Sequence, residues 1–297
     1  MTSTDELRAK LGPLGIWMPP PAAAGVDPQA FAREIEDAGF TSVWFPGVND
    51  PAALAALEPF LAATRRLVLG TGIASVWHWQ PAELAAAADR LDGLYPGRFI
   101  LGLGVSHAPV VEAAGQAYVK PYSKMVRFLD ALPATRAPVI LAALGPRMLE
   151  LSRDRTAGAH PYFAPPEHTR FARQTITDGP LLVPEVAVSL APGAEGAAHA
   201  RDYARFYLRL PNYTGNLRRF GYGDADLADG GSGRLLASVV PSGPAAALAR
   251  ITGHLMAGAD HVLVQLLGEG GKFAAGDLKA LAELTSGIDP DRRSRNQ

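Results

Sequence analysis

The sequence predicts an α/β fold in which eight parallel strands alternate with helices, a (β/α)8 TIM barrel. Two short apolar runs, Leu67–Ile73 and Phe99–Gly104, flank an alanine- and leucine-rich segment, Pro81–Leu94, with apolar residues at helical spacing. This is one βαβ unit, and its strands are apolar on both faces, as buried parallel strands must be. The same alternation recurs along the chain, which favours a closed barrel over an open nucleotide-binding sheet.

The elements before this unit are bounded by turn and capping residues. Gly15–Met18 and Ser42–Phe45 predict the first two strands. Asp27 is placed to cap the helix between them, because its carboxylate can accept from the free N–H groups of the first helical turn. Asp50–Thr64 predicts the helix that follows the second strand.

The C-terminal part continues the alternation and includes one long excursion. The predicted excursion, Pro211–Ser242, is rich in Gly, Asn, Asp and Tyr, and is expected to cover the mouth of the barrel. One domain is predicted over residues 1–297, with residues 288–297 as a charged, mobile tail. The elements predicted here are helices at Ser123–Leu132, Gly145–Arg155, Glu167–Thr175 and Ala197–Leu210, and strands at Val139–Leu144, Gly158–Phe163, Leu181–Leu190 (interrupted by Pro184) and His261–Leu267.

Composition excludes several classes of protein. The formal net charge of −1 gives no electrostatic reason to expect nucleic acid or an anionic membrane as a partner. The chain has no cysteine, which rules out disulfides, thiolate metal sites and a cysteine nucleophile. The N-terminus carries acidic residues instead of a signal peptide, and no apolar run approaches the roughly 20 residues that span a bilayer. A cytoplasmic protein is therefore expected.

One candidate site lies where a predicted strand turns into a helix, at Ala143, Leu144, Gly145, Pro146, Arg147 and Met148. Such a turn exposes backbone N–H groups at a helix N-terminus, and Arg147 adds a fixed positive charge. These features are typical of a cradle for phosphate or carboxylate. They are equally typical of a Gly-Pro turn beside a solvated arginine, and the local sequence leaves both interpretations open.

Further candidate site residues lie in the loops after the predicted strands. Trp77 and Trp79 are large apolar side chains in a loop, so they are expected to line a pocket or form a subunit contact. His107 follows the fourth strand, where it could transfer protons, bind substrate, or be a structural or exposed histidine. His78 and His160 also follow strands. No spacing of histidines and carboxylates indicates a metal site, and no G-x-S-x-G motif supports a hydrolase.

Five segments taken in order resemble a known family: GIW, AGFTSVWFPG, RLVLGTGIASVW, ADRLDGLYPGRFILGLGVSHAP and APVILAALGPRML. The pattern resembles the bacterial luciferase-like family and, within it, the oxidoreductases that use the deazaflavin coenzyme F420. The resemblance extends from Leu14 to about Leu267. It implies a (β/α)8 barrel with the cofactor at the carboxyl ends of the strands, assembled as a homodimer.

The resemblance also implies roles for individual residues. A non-prolyl cis peptide is expected between Gly72 and Ile73, in a bulge that supports the cofactor ring from behind. Trp17 and Trp77 would flank the substrate, and His107 stands where relatives often carry an acidic or polar active-site residue. The cofactor-binding positions carried over to this sequence are Gly72, Ile73, Ala74, Gly104, Val105, Ser106, Ala143, Leu144, Gly145, Pro146, Arg147 and Met148.

One departure from the family pattern concerns proton handling. Relatives often present a histidine or carboxylate after the second strand, where this chain has Pro46-Gly47. Asn49 and Asp50 could compensate, or His107 could carry the role alone. A protein that binds the cofactor without catalysis is the third alternative.

The resemblance implies an enzyme that transfers a hydride between the reduced deazaflavin and a small organic substrate. A monooxygenase that uses flavin mononucleotide (FMN) on the same barrel is the first alternative, because both cofactors would place a phosphate at the same turn. A non-catalytic F420-binding protein is the second. A basic groove near Arg147 and Arg153 would favour F420, whose tail carries additional carboxylates.

Overall fold

A computed structural model describes residues 4–289, so residues 290–297, most of the predicted tail, lie outside the described residues. Nine of the strands form one parallel path, and the short β4 pairs with β5 beside it. The strands are β1 Leu14–Trp17, β2 Ser42–Phe45, β3 Val68–Thr71, β4 Ala74–Ser75, β5 Phe99–Gly104, β6 Val139–Ala142, β7 Gly158–His160, β8 Leu181–Leu182, β9 Glu185–Val188 and β10 Val262–Leu266.

Sixteen α-helices in the described residues connect and cover the strands, and two 3-10 turns, Glu269–Gly271 and Ala275–Asp277, follow β10. The helices are α1 Thr4–Leu11, α2 Pro21–Ala24, α3 Pro28–Asp37, α4 Pro51–Ala55, α5 Glu58–Ala62, α6 Pro81–Leu94, α7 Ala108–Ala113, α8 Pro121–Ala131, α9 Pro146–Arg155, α10 Pro166–Ile176, α11 Gly193–Tyr207, α12 Pro211–Arg219, α13 Asp224–Leu227, α14 Gly233–Val239, α15 Pro244–Met256 and α16 Leu278–Thr285.

The strand order is that of the predicted TIM barrel. It runs β8-β7-β6-β5-β3-β2-β1-β10-β9, so the ladder of strands is open between β8 and β9. These two strands are consecutive in the chain, separated only by Val183 and Pro184. Val183 N donates to Ala159 O on one side, and Leu263 N donates to Pro184 O on the other. Proline has no N–H to donate, which explains why the predicted seventh strand is divided there.

Two layers of apolar side chains hold the barrel together. The outer layer packs the strands against the helices and includes Ile16, Val43 and Leu69, all fully buried. The interior layer includes Trp44 and Ile100. Successive side chains of a strand point to opposite faces, so each strand contributes to both layers.

The N-terminal helix was not expected from the sequence and has a clear packing role. Leu7 and Leu11 of α1 are 1% and 0% exposed, and they belong to the apolar cluster inside the barrel. Arg8 of the same helix pairs with the buried carboxylate of Asp260 at 2.8 Å. The helix therefore covers the barrel end that contains the amino ends of the strands.

Two further regions differ from the sequence prediction. The helix predicted at Asp50–Thr64 is divided into α4 and α5, with Pro59 in the first turn of the second helix. The excursion is largely helical, since α12, α13 and α14 lie within it. Its buried side chains, among them Leu217 and Leu235, form a separate apolar cluster with α11. The segment therefore has an apolar face, which its Gly- and Asp-rich composition did not indicate.

Candidate active site

A cavity of about 590 Å³ opens at the carboxyl ends of the strands, under the helices of the excursion. Its wall combines the loops after β1, β2, β3, β5 and β6 with residues of α8, α11 and α12. Strand ends are free of packing duties in a parallel barrel, so functional side chains collect there. Of the predicted site residues, the cavity brings together Trp17, Gly72, Ile73, Val105, Ser106, His107, Ala143, Leu144, Gly145, Pro146, Arg147 and Met148.

Three predicted site residues do not line the cavity. Ala74 and Gly104 lie in the paired strands β4 and β5, where Ala74 is opposite Leu103 and Gly104 is opposite Ser75. Trp77 lies behind the wall instead of flanking the substrate. Its Nε1 donates to the carbonyl oxygen of Val105 at 2.7 Å, so the ring supports the cavity loop from outside.

The peptide bond between Gly72 and Ile73 is cis, as the resemblance implies. The space around it is narrow, because a Cβ on Gly72 would lie 2.8 Å from Trp17 Nε1 and 3.4 Å from His160 Nε2. A side chain at position 72 would therefore collide with the indole. Glycine is required at this point by the close approach of the two rings.

The turn before α9 has the geometry of an anion cradle. Gly145 is the N-cap of the helix, and the carbonyl oxygen of Leu144 accepts a hydrogen bond from His168 Nε2 at 2.8 Å, which fixes the turn. The guanidinium of Arg147 lies 4.0 Å from the ring centroid of Tyr122. Pro146 has no N–H and Met148 N donates to Gly145 O, so this turn offers an anion the N–H of Arg147 and the positive end of the helix dipole.

A second arginine, Arg219 at the end of α12, reaches the same corner. Its Nη1 would lie 3.6 Å from a Cβ on Gly145. Neither Arg147 nor Arg219 forms an ion pair among the described residues. Sequence reasoning missed Arg219, and the only local signal was a pair of arginines inside the polar excursion.

Arg153, which was named with Arg147 as a position where a basic groove would favour F420, does not line the cavity. The side chain of Arg153 is exposed and pairs with its neighbour Asp154 at 2.7 Å. It lies a full two turns into α9, where it also donates to the carbonyl oxygen of Thr175.

His107 precedes α7 and lines the cavity, with its ring 5.4 Å from that of Tyr213. Burial lowers the pKa of His107 from 6.5 to about 4, because the charged imidazolium loses hydration. The side chain is neutral at pH 7 and can still donate one hydrogen bond and accept another.

His160, at the end of β7, is also in the cavity wall and is only 1% exposed. Its Nδ1 lies 2.7 Å from the carbonyl oxygen of Val183, which can only accept, so Nδ1 carries the proton and Nε2 is a bare acceptor. Burial lowers the pKa of His160 to about 4. His160 Nε2 and Trp17 Nε1 have no hydrogen-bond partner within residues 4–289.

The residues after β2 contain no titratable group that faces the cavity. Pro46, Gly47 and Asn49 line it, and the Oδ1 atom of Asn49 is buried without a hydrogen-bond partner in the described part of the chain. Asp50 instead caps α4, where its carboxylate accepts from Ala53 N at 2.7 Å. Of the two predicted substitutes for the missing proton-handling residue, only Asn49 is at the cavity.

A hydrogen-bonded cluster of tyrosines connects the cavity to a buried carboxyl group. The hydroxyl of Tyr162, a cavity residue, lies 2.6 Å from that of Tyr203 and 2.9 Å from that of Tyr207. Tyr203 in turn donates to Glu185 Oε1 at 3.4 Å. Burial raises the pKa of Glu185 from 4.5 to about 8. Sequence reasoning missed Glu185, since a single carboxylate inside a strand gives no local pattern.

Glu185 makes the stability of the protein depend on pH. A carboxyl group whose pKa is raised on folding stabilises the native state below pH 4.5, and this contribution is lost as the pH rises to about 8. Glu185→Gln removes the dependence. Between pH 5 and pH 9, we expect the free energy of unfolding to fall by roughly 2–4 kcal/mol more in the unmodified chain than in the variant. Denaturant titrations at both pH values measure this, and equal pH dependence in the two proteins would contradict it.

Residues 4–289 contain neither a candidate metal cluster nor a candidate membrane-spanning helix. No group of three or more His, Asp or Glu side chains could hold a metal ion. No helix in this range is long and apolar enough to cross a membrane.

Comparison with known proteins shows which of them this chain resembles. The profile described as luciferase-like monooxygenase matches residues 20–135. A protein of Mycobacterium tuberculosis named as a coenzyme F420-dependent oxidoreductase (Rv3520c) is 35% identical over 169 residues, which are 55% of this chain and 47% of that protein. The 5,10-methylenetetrahydromethanopterin reductase of Archaeoglobus fulgidus is 24% identical over 175 residues, 50% of this chain and 53% of the reductase.

A solved structure extends the likeness over the whole fold. The coenzyme F420-dependent tetrahydromethanopterin reductase from Methanopyrus kandleri superimposes with a TM-score of 0.71 at 18% identity, covering 93% of this chain and 97% of that one. The chain spans about half the length of the curated relatives it matches. The resemblance seen in the sequence is confirmed over residues 20–135, which match the luciferase-like monooxygenase profile, and a relative over part of the chain is named as a coenzyme F420-dependent oxidoreductase.

Proposed function

We propose that this protein is an oxidoreductase that transfers a hydride between coenzyme F420 and a small organic substrate. The observation that carries the proposal is a single cavity that joins two unlike ends. One end has the helix N-terminus at Gly145 with two arginines, Arg147 and Arg219. At the other end, the backbone of Gly72 lies close to two aromatic rings. The names of the relatives support the choice of cofactor.

The residues present fit a deazaflavin. Its phosphate would be held by the backbone N–H of Arg147 and by the side chains of the two arginines, which have no carboxylate partner among the described residues. Its ring would lie against the bulge at Gly72 and Ile73. When bound, the deazaflavin would supply or take up a hydride as an obligate two-electron carrier. The protein's part is to position the ring against the substrate and to move the accompanying proton.

The substrate end of the cavity favours an uncharged molecule. No Asp, Glu or Lys lies among the described residues of the lining. The walls there are aromatic and aliphatic, with Trp17, Tyr162 and Tyr213 on one side and Ile73 on another. A charged substrate group would lose hydration without gaining a partner, which costs several kcal/mol. Suitable probes are propan-2-ol, cyclohexanol and cyclohex-2-enone.

An FMN-dependent monooxygenase is the second candidate, since the matching family profile carries the description luciferase-like monooxygenase. We expect F420 to bind with a Kd in the micromolar range or below, and FMN at least tenfold more weakly, a difference of about 1.4 kcal/mol. Fluorescence titration of the purified protein with each cofactor measures both constants. Isolation of the protein with stoichiometric FMN would contradict this order and favour the monooxygenase.

Turnover separates the enzyme from a cofactor-binding protein without activity. The second possibility rests on Pro46 and Gly47, which put no proton-handling group after β2. Oxidation or reduction of F420 with any of the three probes supports the enzyme. Tight binding of F420 without turnover of any of them would support the non-catalytic protein.

We also propose that residues 1–297 form one domain and that the protein is a homodimer, as the resemblance implies. A single cooperative unfolding transition tests the first statement. Sedimentation velocity tests the second, and a monomer at micromolar concentration would contradict it.

Arg219→Ala tests the cofactor end of the cavity. We expect a loss of F420 affinity of about tenfold, because a charge-assisted hydrogen bond to the phosphate disappears. Arg153→Ala is the matched control, since it removes an exposed arginine that lies outside the cavity, and its affinity should stay within about twofold. Equal affinities of the two variants would remove Arg219 from the site.

A further inference from the structure

The buried carboxyl group of Glu185 has no evident structural purpose. It is 2% exposed, and its hydrogen bonds are long: 3.4 Å from Tyr203 and 3.5 Å from the backbone N–H of Phe163. Within residues 4–289, no arginine or lysine forms an ion pair with it. A glutamine or an apolar residue would fill the same space without the cost of burying an ionisable group.

Phenol hydroxyls link this carboxyl group to the cavity. Tyr203 contacts Glu185 Oε1 and lies 2.6 Å from Tyr162, whose ring lines the cavity 5.3 Å from that of Trp17. The side-chain oxygen of Gln265 lies 3.0 Å from the hydroxyl of Tyr162 and 2.9 Å from that of Tyr203, so it can accept from one of them at a time and holds the two hydroxyls side by side. The network therefore forms a continuous path from the cavity wall to Glu185.

We propose that Glu185 stores the proton exchanged with the substrate, and that Tyr203 and Tyr162 carry it between the carboxyl group and the cavity. The inference rests on the proposed hydride transfer. Such a reaction needs one proton for each hydride, and the cavity lining offers no carboxylate or lysine to hold it. His107 and His160 are both neutral at pH 7, because burial lowers the pKa of each to about 4.

When the substrate is reduced, two electrons arrive with the hydride, and negative charge develops on the substrate oxygen. The O–H bond of Tyr162 breaks as its proton passes to that oxygen, Tyr203 gives its proton to Tyr162, and the carboxyl group of Glu185 gives its proton to Tyr203. Both phenols are neutral again, and Glu185 is left as a carboxylate that takes up a proton from solvent. Oxidation of the substrate runs through the same steps in reverse.

The surroundings of Glu185 suit a group that gains and loses a proton near neutral pH. Burial raises its pKa to about 8, while the hydrogen bonds from Phe163 and Tyr203 favour the charged form. The titratable groups that face it are phenols: Tyr162 after β7, Tyr203 and Tyr207 on α11, and Tyr213 on α12. Burial raises the pKa of each of them, so at neutral pH they remain neutral.

The first test needs neither cofactor nor substrate. Infrared difference spectra of the cofactor-free protein between about pH 6 and about pH 9.5 should show loss of a protonated carboxyl band with a midpoint near pH 8. The band should be absent in Glu185→Gln and present in Tyr203→Phe and Tyr222→Phe. Tyr222 is the control because it is a buried tyrosine of the same apolar cluster as Tyr203 and lies outside the hydrogen-bond network and the cavity lining. A spectrum without such a band overturns the proposal.

The second test is the pH dependence of turnover with the probe that the protein accepts. Reduction by the unmodified chain should slow above pH 8, where Glu185 loses its proton. Glu185→Gln and Tyr203→Phe should lower the rate at pH 7 by about 10- to 100-fold and lack this limb. Tyr222→Phe should behave as the unmodified chain. A purely structural role would change the rate without changing the shape of the profile, and would overturn the proposal.

The two proposals fail in different ways. Absence of turnover by the unmodified chain with every probe overturns the proposed function. Turnover of both Glu185→Gln and Tyr203→Phe at the rate of the unmodified chain overturns the relay alone.

Discussion

Replacing Gly145 by aspartate is expected to lower F420 affinity by at least about 100-fold, roughly 2.7 kcal/mol, while the fold remains intact. Gly145 has φ −82° and ψ 157°, a conformation open to any residue, so the substitution brings no backbone strain. The new carboxylate would lie at the helix N-terminus within reach of Arg219, whose Nη1 is 3.6 Å from the Cβ position. It would occupy the place of the phosphate and repel it.

Gly145→Ala is the control for this prediction. Its methyl group would make an ordinary contact with Arg219 and carry no charge, so F420 affinity should stay within about threefold of the unmodified chain. Fluorescence titration measures both variants, and circular dichroism checks the fold. If the aspartate variant binds F420 as tightly as the alanine variant, the turn before α9 is not the phosphate site.

His107→Gln is expected to lower turnover by about two orders of magnitude and to leave F420 affinity within about threefold. The imidazole lies in the cavity wall beside Ser106 and packs against Tyr213. In its neutral form it can donate to, or accept from, the reacting oxygen of the substrate. The cofactor would be held mainly by backbone groups and the two arginines, which the substitution does not touch.

The pH profile of turnover distinguishes the possible roles of His107. Its pKa of about 4 places any limb that it causes near pH 4, well below the limb expected from Glu185. Loss of an acid limb in His107→Gln, with the alkaline limb unchanged, is the expected result. His78→Gln is the control, because His78 lies outside the cavity lining. Normal turnover of His107→Gln across the pH range would make His107 a rim residue.

Local patterns in the sequence predicted the frame of the site. The apolar runs at Leu67–Ile73 and Phe99–Gly104 correspond to β3 and β5, and the loops after them reach the cavity. Ala143–Met148 was open to two interpretations from the local residues, and its place in the cavity wall fits the cradle. Each of these features is encoded within a few consecutive residues, which is why periodicity and turn signals detect it.

Features that join distant parts of the chain were not predictable in this way. Arg219 and Gly145 are separated by 74 positions and meet only because the excursion folds back over the strand ends. Trp77 was expected at the substrate and instead supports Val105 from behind the wall. Arg153 is exposed, pairs with Asp154 and does not join Arg147 in the cavity lining. In each case the residue type indicated a possible role, but the sequence did not show where the side chain would lie.

The sequence by itself determined the alternation of strands and helices, the barrel and the positions of the strand-end loops. These follow from the spacing of apolar residues and from glycine, proline and capping residues, which act over one or two turns of chain. Only the tertiary structure decided which side chains share the cavity and which of them carry charge. Burial fixes the neutral state of His107 and raises the pKa of Glu185, and burial depends on packing between residues far apart in the sequence.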